Sequence, residues 1–134
     1  MKDLPLNYYP PLARKAIIFL NSAKTTHRII NRKVGLEEAS YYELSQAVEL
    51  SIKALVKKES GKEPPRIHDK QELAKRYRDI CGFSDKEIST IIKLKQLNNG
   101  PGGLRYDNQP IGQFLPSIFQ DGVNIVERLL EKFE

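Results

Sequence analysis

Apolar residues recur along this chain at steps of three and four, the period of a helix and not of a strand. Ala16, Leu20, Ala23, His27, Ile30 and Val34 fall on one face, and Gly35 follows as a residue able to take the left-handed backbone that ends a helix. Leu44, Ala47, Val48, Ser51 and Leu55 mark one face of a second helix, expected from Glu37 to Ser60 with Gly61 as its stop. A third starts at Asp69, where Asp69-Lys70-Gln71-Glu72 reads as a capping box, and ends at Cys81-Gly82. Ser84-Asp85-Lys86-Glu87 opens a fourth in the same way, reaching about Leu97, with Phe83 and Ile88 placed as a hydrophobic staple. Leu115, Phe119, Val126, Leu129, Leu130 and Phe133 supply the apolar side of a fifth. Either Pro110 or Pro116 suits its first turn, and a start near Phe114 to Pro116 fits better.

Proline placement agrees. The prolines gather at Pro5, Pro10 and Pro11, at Pro64 and Pro65, at Pro101, and at Pro110 and Pro116, outside every helix interior. No segment alternates with period two and no repeat is visible. The expected fold is all-α, an up-and-down antiparallel bundle of four to five helices, with residues 1–134 as a single domain. One connection is long. Asn98 to Pro110 holds Gly100, Gly102 and Gly103, and long loops in compact domains often carry function.

Composition excludes more than it selects. With 40% hydrophobic and 29% charged residues over 134 positions, the chain can bury a core without staples. A lone cysteine, Cys81, permits neither an internal disulfide nor a cysteine-based metal site. The longest apolar run, Ala16 to Leu20, is far too short for a membrane span, and Asp3 and Pro5 do not fit a secretory signal. A cytoplasmic protein is expected. Net charge is +5, and its excess lies between Asp3 and Glu37, where Arg14, Lys15, Lys24, Arg28, Arg32 and Lys33 meet no acid. Lys24, Arg28 and Arg32, at steps of four, form either a solvated face or a phosphate contact.

Five other features carry candidate chemistry. Glu49 and Lys53 stand four apart on the second helix, acid first, as a solvated ion pair or as a polar wall of a site. His27, inside the first apolar stripe, reads as a core or interface residue satisfied locally. His68, just before Asp69, reads as packing over a first turn with a ring nitrogen bonded to nearby backbone. Neither histidine has a second at metal-ligand spacing, so no metal and no cofactor are expected. Gly100 to Gly103 could approach a phosphate closely but lacks the lysine and serine of a nucleotide loop. Arg105 beside Tyr106 offers a guanidinium for phosphate and a ring for a base, or else a helix cap and a bundle seal.

Taken together, these pieces resemble the HEPN family, the higher eukaryote and prokaryote nucleotide-binding domain. The segment from Tyr41 to Leu55, with its Glu49, Lys53 and Ala54, is similar to that family's second helix. Gly61, Pro64, Pro65, His68, Asp69 and Leu73 resemble the loop that follows, and Leu104-Arg105-Tyr106-Asp107 the element before the last helix. The resemblance implies a helical bundle, frequent homodimers, and a minimal nucleotidyltransferase as partner. It also implies a relation to toxin–antitoxin ribonucleases, in which four to six residues separate an arginine from the histidine that follows it. In this chain the matching positions after Arg105 are Pro110, Ile111 and Gly112, none of which moves a proton.

The expectation is therefore a non-catalytic binder of a nucleotide or RNA, docked to a partner. Arg105, Tyr106, Lys53, Glu49, His68, Arg28 and Arg32 are its candidate contacts. Two readings stand beside it. One is a purely structural dimerising module using Tyr8, Tyr9, Tyr41 and Tyr42. The other is a divergent ribonuclease that sets His68 against Arg105 across a dimer.

Overall fold

A computed structural model of the chain describes residues 1–29, 36–99 and 116–134. After one 3-10 turn at Leu6–Tyr8 come α1 (Pro11–Ile29), α2 (Leu36–Ser60), α3 (Lys70–Arg76), α4 (Arg78–Cys81), α5 (Asp85–Asn99) and α6 (Pro116–Glu131), with no strand among the described residues. The all-α bundle expected from the periodicity is what forms. No described helix is long and apolar enough to cross a membrane.

Local chemistry sets the boundaries. Ser84 Oγ accepts from the Glu87 amide at 3.1 Å, while the Ser84 amide donates to the Glu87 carboxylate at 3.1 Å, so this box closes in both directions. At Asp69 it is one-sided. Oδ1 accepts from the Gln71 and Glu72 amides at 2.9 and 3.2 Å, but the Glu72 side chain is exposed and Asp69 Oδ2 takes a bond from Lys95 of α5 at 3.0 Å. The single third helix expected from Asp69 to Cys81 is interrupted at Tyr77, whose backbone (φ −109, ψ 25) leaves helical geometry between α3 and α4. Gly61 and Gly82 both have positive φ, 69° and 65°, and end their helices as expected. Gly35 lies outside the described residues.

Side-chain contacts fix the helix directions. Thr26, late in α1, meets Glu43, early in α2, at 3.2 Å, so α1 and α2 are antiparallel. Tyr41 lies edge-on to Phe119 at the start of α6 (centroids 5.4 Å apart), and Lys58 covers Phe133 at its far end, so α2 and α6 run the same way. Arg128, late in α6, holds Glu87, early in α5, through Nε and Nη2 at 3.0 Å each, which makes α5 and α6 antiparallel.

The link from α2 to α3 is different. His68 reaches back to Glu49, eleven residues before the end of α2 at Ser60. Eleven helical residues rise about 16 Å, more than the about 12 Å that the eight residues from Gly61 to His68 would span as a helix, so this segment is drawn out. Pro64 and Pro65 favour an extended path. The chain thus returns along α2 before α3 begins, and so delivers His68 and Lys70 to the middle of α2.

That helix is the centre of the molecule. From Ala47 to Val56 every residue is buried except Leu50, which is half-buried. The single apolar face expected from Leu44, Ala47, Val48, Ser51 and Leu55 is therefore too narrow, because α1, α3, α4, α5 and α6 all pack on α2. Polar residues on it have been carried inside.

Candidate anion-binding site

Ser45, Glu49 and Lys53 follow one another at successive turns of α2, on one face, and are 1%, 5% and 7% exposed. Lys53 Nζ donates to Glu49 Oε2 at 3.1 Å. The returning segment sets His68 Nδ1 3.0 Å from the same oxygen, and the first turn of α3 sets Lys70 Nζ 3.5 Å from Oε1. Lys70 is itself buried, whereas the His68 ring is 80% exposed. Since an ionised carboxylate only accepts, His68 Nδ1 carries the proton in this contact and Nε2 is left for solvent or a ligand.

Of the two readings of this pair, the solvated one is set aside. Glu49 and Lys53 are enclosed because α2 is covered on nearly all sides, a fact that spacing within one helix cannot reveal. The backbone partner expected for His68 is corrected as well: its partner is the Glu49 carboxylate.

Electrostatically the cluster is lopsided. Burial pushes the Glu49 carboxyl up, but hydrogen bonds from His68 and Lys53 and the attraction of Lys70 and Lys53 outweigh it, leaving the group below its ordinary value. Among the described residues one carboxylate then serves two buried ammonium groups, a surplus of positive charge before the imidazole is counted. One turn away, Ser45 Oγ is buried without a hydrogen-bond partner among the described residues. A surplus of charge with an unused donor complements an anion.

The other expected contacts are distributed differently. Lys24 pairs with Glu127 of α6 at 3.0 Å, so the basic stripe that meets no acid in its own segment meets one in space. Arg28 is exposed at the end of α1, where its charge suits the helix terminus. Arg32, Arg105, Tyr106, the glycine-rich run and Pro110, Ile111 and Gly112 lie outside the described residues. His27 is a packing residue, stacked on Phe119 at 3.8 Å and edge-on to Tyr41. Of the four tyrosines expected at an interface, Tyr9 and Tyr41 are core residues, 2% and 0% exposed, while Tyr8 and Tyr42 are exposed. Burial pushes the Cys81 thiol up to about 12 despite the nearby Arg128, so it offers no thiolate.

Sequence reasoning missed Lys70 and Ser45. Lys70 had a usable signal, since a lysine in the first turn of a helix opposes the helix dipole and so calls for a compensating anion. Ser45 had a weaker one, its step of four from Glu49. A family model described as HEPN domain matches residues 10–134. No curated protein and no solved structure matches the chain significantly.

Proposed function

Because this chain belongs to the HEPN domain family, we propose that it binds a nucleotide or an RNA through a phosphate held at the Glu49 cluster. The observation that carries this reading is the pair of buried lysines, Lys53 and Lys70, sharing a single carboxylate. Glu49 positions both ammonium groups and holds the ring of His68. Phosphate oxygens accept from Lys53 and Lys70 and, in the imidazolium form, from His68 Nε2, and Ser45 Oγ supplies a further donor. The family resemblance adds Arg105 as a phosphate contact and Tyr106 as a stacking ring, both outside the described residues.

Binding and not cleavage is the reaction assigned, since the residues that follow Arg105 at the family's proton-transfer positions are Pro110, Ile111 and Gly112. Docking to a nucleotidyltransferase, which the family resemblance implies, belongs to the same proposal. Co-expression followed by co-purification tests that part.

Calorimetric titration with ATP and with a short RNA tests the ligand. Saturable binding is expected, weakening as salt rises. Lys53→Ala should reduce affinity about tenfold, the effect of losing one charge-assisted hydrogen bond. It should do so without unfolding the protein, because Glu49 keeps Lys70 and His68 as partners. Absence of binding to either ligand at millimolar concentration sinks the reading. Metal-independent cleavage of the RNA that disappears in Arg105→Ala or His68→Ala overturns the non-catalytic part.

A further inference from the structure

A cavity that shares no residue with the Glu49 cluster opens where the start of α1 meets the end of α2. It has a volume of about 380 Å³ and is bounded by Pro11 and Leu12, by Ala54, Lys57 and Lys58, and by Phe133 beyond α6. That is the size of a small-molecule site. Ala54, only 3% exposed, closes its floor. Its walls are hydrocarbon and aromatic, and among the described residues its only charged groups are the ammonium groups of Lys57 and Lys58 at the rim.

Those two lysines indicate the ligand's other half. Lys57 is paired with Glu63 at 2.6 Å and Lys58 with Glu59 at 3.5 Å, but all four side chains are substantially exposed. Exposed pairs contribute at most about 1 kcal/mol, so a ligand carboxylate can take the place of either glutamate at little cost. Lys58 Nζ stands 5.6 Å from the Phe133 ring centre, which holds its charge at the mouth of the cavity.

We propose that this cavity binds a small anionic amphiphile of the medium-chain acyl carboxylate class. The hydrocarbon lies against Leu12, Ala54 and Phe133, and the carboxylate lies between Lys57 and Lys58. The site is independent of the phosphate site on α2, and its occupancy does not require nucleotide binding.

Calorimetric titration with decanoate, and with decanol as the uncharged counterpart, tests this below the micellar range of the acid and the solubility limit of the alcohol. Decanoate is expected to bind saturably and decanol about tenfold more weakly. The double variant Lys57→Gln/Lys58→Gln removes only exposed charges and leaves the cavity shape intact. It should bring decanoate down to the affinity of decanol while leaving ATP titration unchanged. Ala54→Phe, which fills the cavity, should abolish binding of both. No saturable binding of decanoate, equal affinity for the acid and the alcohol, or indifference of decanoate to the double lysine variant each overturns the proposal.

Discussion

Glu49→Gln is expected to destabilise the fold by about 3–5 kcal/mol in urea unfolding, since removing one partner of a buried ion pair strands the other. The carboxylate accepts from Lys53 and His68 through one oxygen and faces Lys70 with the other. An uncharged amide leaves two buried ammonium groups without a counter-ion, and its own NH₂ opposes them. The cost should come from the lysines, not from His68, whose ring is already 80% exposed. His68→Ala should therefore change stability by less than about 1 kcal/mol. Replacing all three buried groups together, as Glu49→Leu/Lys53→Met/Lys70→Met, should recover most of the loss, because apolar groups of similar size need no counter-ion. A Glu49→Gln protein within about 1 kcal/mol of wild type would mean that the lysines do not depend on this carboxylate.

The same cluster makes stability depend on acid. Glu49 titrates below its ordinary value of 4.5 in the folded chain. Asp69 behaves alike: burial raises its pKa, but the bond from Lys95 and the amides of Glu72 and Gln71 lower it further than burial lifts it. A carboxyl depressed by folding contributes its stabilisation fully above the unfolded value and loses it as pH falls through the folded one. Melting temperature should therefore hold near neutral pH and fall progressively below about pH 5. The Glu49→Gln variant should start lower and show a shallower decline. A wild-type melting temperature flat down to pH 3 would contradict the assignment.

How much of this was legible in the sequence depends on which interactions are local. The box at Ser84 and the stops at Gly61 and Gly82 involve residues a few positions apart, and each appears where the local pattern placed it. Glu49, Lys53 and His68 were each legible as candidates. Their convergence was not, since it rests on an extended return from Gly61 to His68 whose path is set by the length of α2. Burial of Lys53 and Lys70 was hidden for a related reason. Periodicity assigns one inner face to a helix, and α2 has neighbours nearly all round. The basic stripe shows the converse limit: Lys24 finds Glu127, a hundred and three positions away, once α1 and α6 are antiparallel.

Gly122→Val should cost about 3 kcal/mol, at the upper end of what overpacking a tight core usually costs. A mid-helix glycine is itself unfavourable by about 1 kcal/mol relative to alanine, so its presence in α6 calls for a reason. The reason is a close approach. A Cβ at Gly122 would stand 2.8 Å from Leu44 Cδ2 and 3.1 Å from Leu94 Cδ1. Both leucines are fully buried, so neither methyl can swing into solvent. Gly122→Ala gains helix propensity and loses packing, and should end within about 2 kcal/mol of wild type. The branched valine adds two methyl groups with nowhere to go, unless α6 moves off α2 and α5. Leu44→Ala alone should cost about 2–5 kcal/mol by opening a cavity, yet combined with Gly122→Val it provides room for the new side chain. The double variant should therefore be more stable than the two separate losses predict, a coupling that a urea-based mutant cycle reads directly. Leu44 lies five residues before Glu49 on the same helix, so an α2 displaced in the single valine variant should also bind ATP more weakly. Simple additivity in that cycle would place the contact elsewhere.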